Sequence, residues 1–170
     1  MNIRVPIFLS YAHEDKIYLE RLLVHLEPLR MQDQVCAWSD RNLQPGADWH
    51  AGINASIANA KVYVLLVSQH FLASPFIRNS ELPALLSEKQ ACGKPIIPIM
   101  VKPCLYDIAY FKYPDPELGP GKFEISSIQF FNDPDKPLSS LAETEVDTIL
   151  ANLARHLHGI ATNSAGIQPL

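Results

Sequence analysis

"VYVLLVS", residues 62 to 68, decides the fold. It has three valines, no charge and no polar alternation before Ser68, the pattern of a strand covered on both faces rather than one with a wet side. Three other runs share this character: "VPIFLSY" (5 to 11), "VCAWS" (35 to 39) and "PIIPIMV" (95 to 101). A weaker fifth, "SSIQFF", spans 126 to 131. Between the runs the apolar residues recur at helical spacing: Leu19, Leu22, Leu23 and Leu26, then Trp49, Ile53, Ile57 and Ala60, and last Val146, Ile149, Leu150, Leu153 and Leu157. Strand and helix alternate, which predicts an α/β domain built on a parallel sheet.

For five strands in a chain of this length, the expected arrangement is flavodoxin-like, a parallel sheet in order 2-1-3-4-5 with helices on both faces. Asp48 is placed to cap the second helix, and Ser140 with Glu143 has the spacing of a capping box for the last. Pro98 interrupts the fourth run and predicts a bulge or an edge-like position there, because proline donates nothing to a ladder. Residues 102 to 122, with Pro103, Pro114, Pro116 and Pro120, read as a long loop holding at most one short helix. The domain is expected to span 1–158, leaving 159–170, "GIATNSAGIQPL", as an aperiodic tail or linker.

The chain has 170 residues, is 48% hydrophobic and carries a formal net charge of -4. One core is therefore expected, with no basic footprint for nucleic acid. "VYVLLV" is far shorter than the roughly 18 apolar residues of a membrane span, and the N-terminus lacks the pattern of a secretory signal. A cytoplasmic location without membrane attachment is the expectation. Cys36, Cys92 and Cys104 form no close pair, and His156 and His158 lie two apart on a helix, so neither a disulfide framework nor a metal site is expected.

In a doubly wound sheet, ligands bind beyond the carboxyl ends of the strands where the strand order reverses, here strands one and three. That rule singles out Ser10 and Tyr11, Ser68, and the segment leaving strand three, "SPFIRNSELPALL" (74 to 86), with Glu81 among apolar neighbours. Pro83 places a helix start near Asn79 or Ser80, or a kink in a helix that starts at Ser74. Spacing alone favours the plain reading of Glu81 as a first-turn acid on a solvated face, stabilised by the helix dipole. Trp38 reads as core, and Ser68 with His70 lacks the orienting acid of a nucleophile and base pair.

"IFLSYAHEDK", "WSDRNLQPGADWHAGINASIANAKVYVLLVS" and "SPFIRNSELPALL", followed by "QFFNDPDKPLSSL", together resemble a bacterial Toll/interleukin-1 receptor (TIR) domain. The resemblance runs from Arg4 to about His158. It implies the flavodoxin-like fold and a loop after strand two, Asp40 to Trp49, that mediates contacts between domains. Many members cut the bond between nicotinamide and ribose in NAD+, and Glu81 matches their essential glutamate. Where an aromatic residue often lies four positions earlier, this chain has Ile77, with Phe76 beside it. Asp40, Arg41 and Trp49 flank the loop, and Arg41 is either a phosphate contact or a solvated cation.

The resemblance implies an NAD+ glycohydrolase or cyclase, NAD+ being substrate and no cofactor being needed. It further implies an effector of bacterial anti-phage defence that is triggered by self-association or by a sensor domain or partner. The alternatives are a non-catalytic TIR scaffold acting through domain contacts and, more remotely, a ribosyl-transfer enzyme on a related fold.

Overall fold

A computed structural model describes residues 4–39, 46, 48–115 and 119–165. Four strands, β1 (Val5–Ser10), β2 (Val35–Trp38), β3 (Val62–Val67) and β4 (Ile96–Met100), form a parallel sheet in the order β2-β1-β3-β4. Val5 pairs with Val35, Ile7 with Val62 and Val64 with Ile97. Every residue of β3 is buried, because alternate side chains enter two separate cores. Val62, Val64 and Leu66 meet α1 (Lys16–Met31) and α5 (Glu143–Ala165), while Tyr63, Leu65 and Val67 meet α2 (Trp49–Asn59), α3 (Gln69–Ala73) and α4 (Leu82–Cys92). Apolar burial on both faces, at about 25 cal/mol per Å² removed from water, is why the run needs no polar alternation.

The sheet departs from the expected five strands. Residues 126 to 131 form no strand; Ile125–Ser127 is a 3-10 turn, and the chain then runs past the outer edge of β4. There the Phe131 N–H donates to the Pro98 carbonyl at 2.9 Å. The Asn132 side chain accepts from the Met100 N–H at 2.8 Å and donates to its carbonyl at 3.0 Å. One buried amide thus completes a rung that a fifth strand would have supplied, and it satisfies polar groups that are costly to bury unpaired. Pro98 sits in register opposite Leu65 without a bulge. Its nitrogen shares the outward parity of Met100, so β3 loses no hydrogen bond.

The stretch expected as loop contains a hairpin, β5 (Tyr110–Asp115) with β6 (Gly119–Glu124), in which Pro114 and Pro120 are register partners. Ser140 does not cap the last helix: its hydroxyl donates to the Pro137 carbonyl at 2.8 Å inside a 3-10 turn, and α5 starts at Glu143. That helix continues to Ala165, past the loss of periodicity at Gly159. Asp48 does cap α2, accepting from the Ala51 N–H at 3.1 Å. Among the described residues no helix is long and apolar enough to cross a membrane.

Candidate active site

The segment after β3 is built from two caps and one irregular turn. Ser68 caps α3 by accepting from the Phe71 N–H at 3.0 Å. Ser74 then accepts from the Ile77 N–H at 3.3 Å, with Pro75 in the first helical position, where its missing donor costs nothing. The helix therefore begins at Pro75, and Pro83 falls inside it. A proline there would collide with the carbonyl four residues back, that of Asn79. The chain widens instead: Ile77–Glu81 is a π turn, in which the Leu82 N–H reaches back five residues to the Ile77 carbonyl.

This correction changes the character of Glu81. It is two turns into a helical run rather than at a solvated helix start, and it is 4% exposed. Its Oε2 accepts from the Ser10 hydroxyl at 2.8 Å, and Ser10 is itself fully buried at the end of β1. A carboxylate out of water is tolerated when hydrogen bonded, and it acts on nearby charge through a weak dielectric. Glu81 borders a cavity of about 310 Å³ lined by one segment after β1, Tyr11, Ala12, His13 and Glu14. A second segment, after β3, adds His70, Ala73, Ser74, Pro75, Phe76 and Ile77. The volume is at the small end of the roughly 300–1,000 Å³ usual for ligand pockets.

The residues singled out by sequence divide accordingly. Tyr11, Ile77 and Glu81 share the cavity, and Ser10 supports it from behind. Phe76 supplies an aromatic wall beside Ile77. Ser68 is absent from the lining; its hydroxyl donates to Asp15 Oδ2. Asp40 and Arg41 lie outside the described residues, as does the side chain of Trp49.

Sequence reading passed over His13 and Glu14 in the cavity, and Asp15 and Lys102 behind it; it weighed His70 only as a base for Ser68, whereas His70 lines the cavity. Asp15 is fully buried, and its Oδ1 lies 2.7 Å from Lys102 Nζ without a well-angled hydrogen bond, so the lysine balances it by charge. The available signal was positional. Asp15 and Lys102 each lie a few residues beyond the carboxyl end of a buried strand, and parallel strands bring those ends to the same edge.

A polar cluster buried at that edge, whose Glu81 carboxylate faces a cavity that Glu14 also lines, can bind a cation and stabilise positive charge that develops on it. Comparison with known proteins agrees with the architecture. The family model described as TIR domain matches residues 7–142. An uncharacterized protein, y4lF, from Sinorhizobium fredii (strain NBRC 101917 / NGR234) is 30% identical over 105 residues, which is 62% of this chain. The match spans 32% of the relative, so this chain corresponds to about a third of it. The family match extends over well more than half of the sequence, and the chain belongs to the TIR domain family.

Proposed function

We propose that this TIR domain cleaves the nicotinamide–ribose bond of NAD+, with Glu81 as the catalytic carboxylate. The observation that supports the reading best is the burial of Glu81 at the cavity wall, with Ser10 donating to one of its oxygens. Glycosidases of neutral sugars pair two carboxylates because the leaving oxygen must be protonated. In NAD+ the nicotinamide nitrogen already carries the positive charge. It departs as a neutral ring with the C–N electron pair, and the charge passes to the ribosyl carbon. One buried anion suffices to stabilise that cation. Water attacking the ribosyl carbon, and losing its proton to solvent, gives ADP-ribose, nicotinamide and H+. Attack from within the substrate gives a cyclic product instead.

The same proposal places the domain as a cytoplasmic effector of anti-phage defence whose activity rises on self-association, with a sensor domain or partner as trigger. Wild type and Glu81→Gln, each at a series of high protein concentrations with NAD+, are compared by chromatography of nicotinamide and the ribosyl products. Release by the wild type alone, with turnover per molecule rising with concentration, is the expected result. Equal release from both proteins removes Glu81 from catalysis. No release from either at any concentration makes the domain a scaffold.

A further inference from the structure

The buried carboxylate that does not face the cavity has a task of its own. Asp15 directly follows the segment Tyr11 to Glu14, which lines the cavity, and its N–H donates to the Ala12 carbonyl at 2.9 Å. Through Oδ2 it accepts from Ser68, whose hydroxyl oxygen also receives the Phe71 N–H. Ser68 opens α3, and α3 carries His70 and Ala73, which belong to the second lining segment. Lys102, just beyond β4, balances the charge at Oδ1. A single fully buried carboxylate thus joins both lining segments to the sheet edge, and Ser68 is the link to one of them.

We propose that Asp15 is a positioning residue: acting through Ser68, it fixes the start of α3 against the Tyr11–Glu14 segment and so sets the width of the cavity that holds Glu81. Its role in turnover rests on the NAD+ reading, but its mechanical role does not. Asp15→Asn keeps the shape of the side chain and an acceptor for Ser68, but replaces a charge-assisted hydrogen bond by a neutral one of roughly half the strength and leaves the partly exposed Lys102 to solvent. Ser68→Ala removes the link and the cap together, and Ser68→Thr retains a hydroxyl.

The test is a double-mutant cycle on the whole chain, read by amide hydrogen exchange in two segments, 11–14 and 69–73, with β3 as internal reference. KM and kcat for NAD+ are measured in parallel. Asp15→Asn is expected to speed exchange in both segments about tenfold without changing β3, and to raise KM about tenfold with kcat within about threefold. Since Asp15 reaches α3 through Ser68, adding Asp15→Asn to Ser68→Ala is expected to change exchange in 69–73 by less than about twofold. Ser68→Thr is expected to restore most of the protection. Additive effects in the cycle, or unaltered protection of 69–73 in Asp15→Asn, overturn the proposal. If wild type releases no nicotinamide, the NAD+ reading fails while the exchange cycle still decides the positioning role.

Discussion

Carboxylates occupy two contrasting regions of this domain. At the carboxyl edge of the sheet, Asp15 and Glu81 are buried and each accepts from a serine hydroxyl, with Lys102 beside Asp15. Along α1 and α5, Glu27 and Asp147 are exposed. Glu27 pairs with Arg30 three residues on, and Asp147 bridges Arg21 at 3.0 Å and His25 at 3.2 Å. The exposed acids are paired with basic side chains just as Asp15 is, yet they matter less to the fold. Water already solvates them, and an exposed pair gains little because solvent screens it and two long side chains must be held in place. The buried acids have given up that solvation, so the loss of one partner leaves a charge with nothing to replace it. Having a partner is therefore a poor guide to importance, and burial a good one.

The sharpest way to break this contrast is to remove a charge from each buried site. Glu81→Gln preserves shape and lets Ser10 donate to the amide oxygen. If Glu81 serves chemistry, NAD+ cleavage is expected to fall by about 10²–10³, the range for deleting one preorganised electrostatic contact, and the melting temperature not to fall. Lys102→Met reverses the pattern. It strands the Asp15 carboxylate without its counter-charge, and it is expected to cost about 3 kcal/mol of stability in urea unfolding, the lower end for breaking a buried pair. Loss of stability in Glu81→Gln, or none in Lys102→Met, would mean that the two buried acids are not divided between chemistry and architecture.

Much of this arrangement is legible in the sequence, for one reason: burial on both faces leaves uninterrupted apolar runs, as in β3. The same logic explains what is hidden. The fifth strand fails because a side chain, Asn132, performs the pairing that sequence periodicity attributes to backbone. Pro83 allows a helix start near Asn79 or Ser80, or a kink in a helix from Ser74. The second is close to the structure, where the helical run begins at Pro75 and the π turn at Ile77–Glu81 lets it accept the proline in its interior. What both readings misplace is Glu81, which is buried rather than a solvated first-turn acid. Asp15 is hidden in "HEDK", where neighbouring charges suggest a solvated surface, and only its distance from the end of β1 hints otherwise.

Asn132 extends the comparison to a neutral group. Asn132→Ala is expected to destabilise the domain by about 1–3 kcal/mol, because the Met100 N–H and carbonyl lose their partner at an edge that remains covered. Asn132→Asp supplies an acceptor but no donor, and is expected to be no better. Denaturant unfolding of the two variants reads both values. A cost near zero would show that water enters the edge freely and that burial there is nominal.

The smallest effect belongs to Asp147, and its pH dependence shows why. Hydrogen bonds from His25 first and Arg21 second hold its carboxyl below the ordinary range. A group whose folded pKa is depressed binds its proton more readily when unfolded. Its contribution is fully present above the unfolded value of about 3.9 and disappears as pH falls through the lower folded value. Asp147→Asn is therefore expected to melt slightly below wild type at pH 6, and the gap to close once the pH drops well under 4. Raising salt at pH 6 is expected to narrow the same gap, since exposed pairs are screened. Lys102→Met, whose pair is buried, should keep its deficit in salt. If both gaps closed together, the Asp15 site would be open to ions, and the contrast between the two regions would be one of degree.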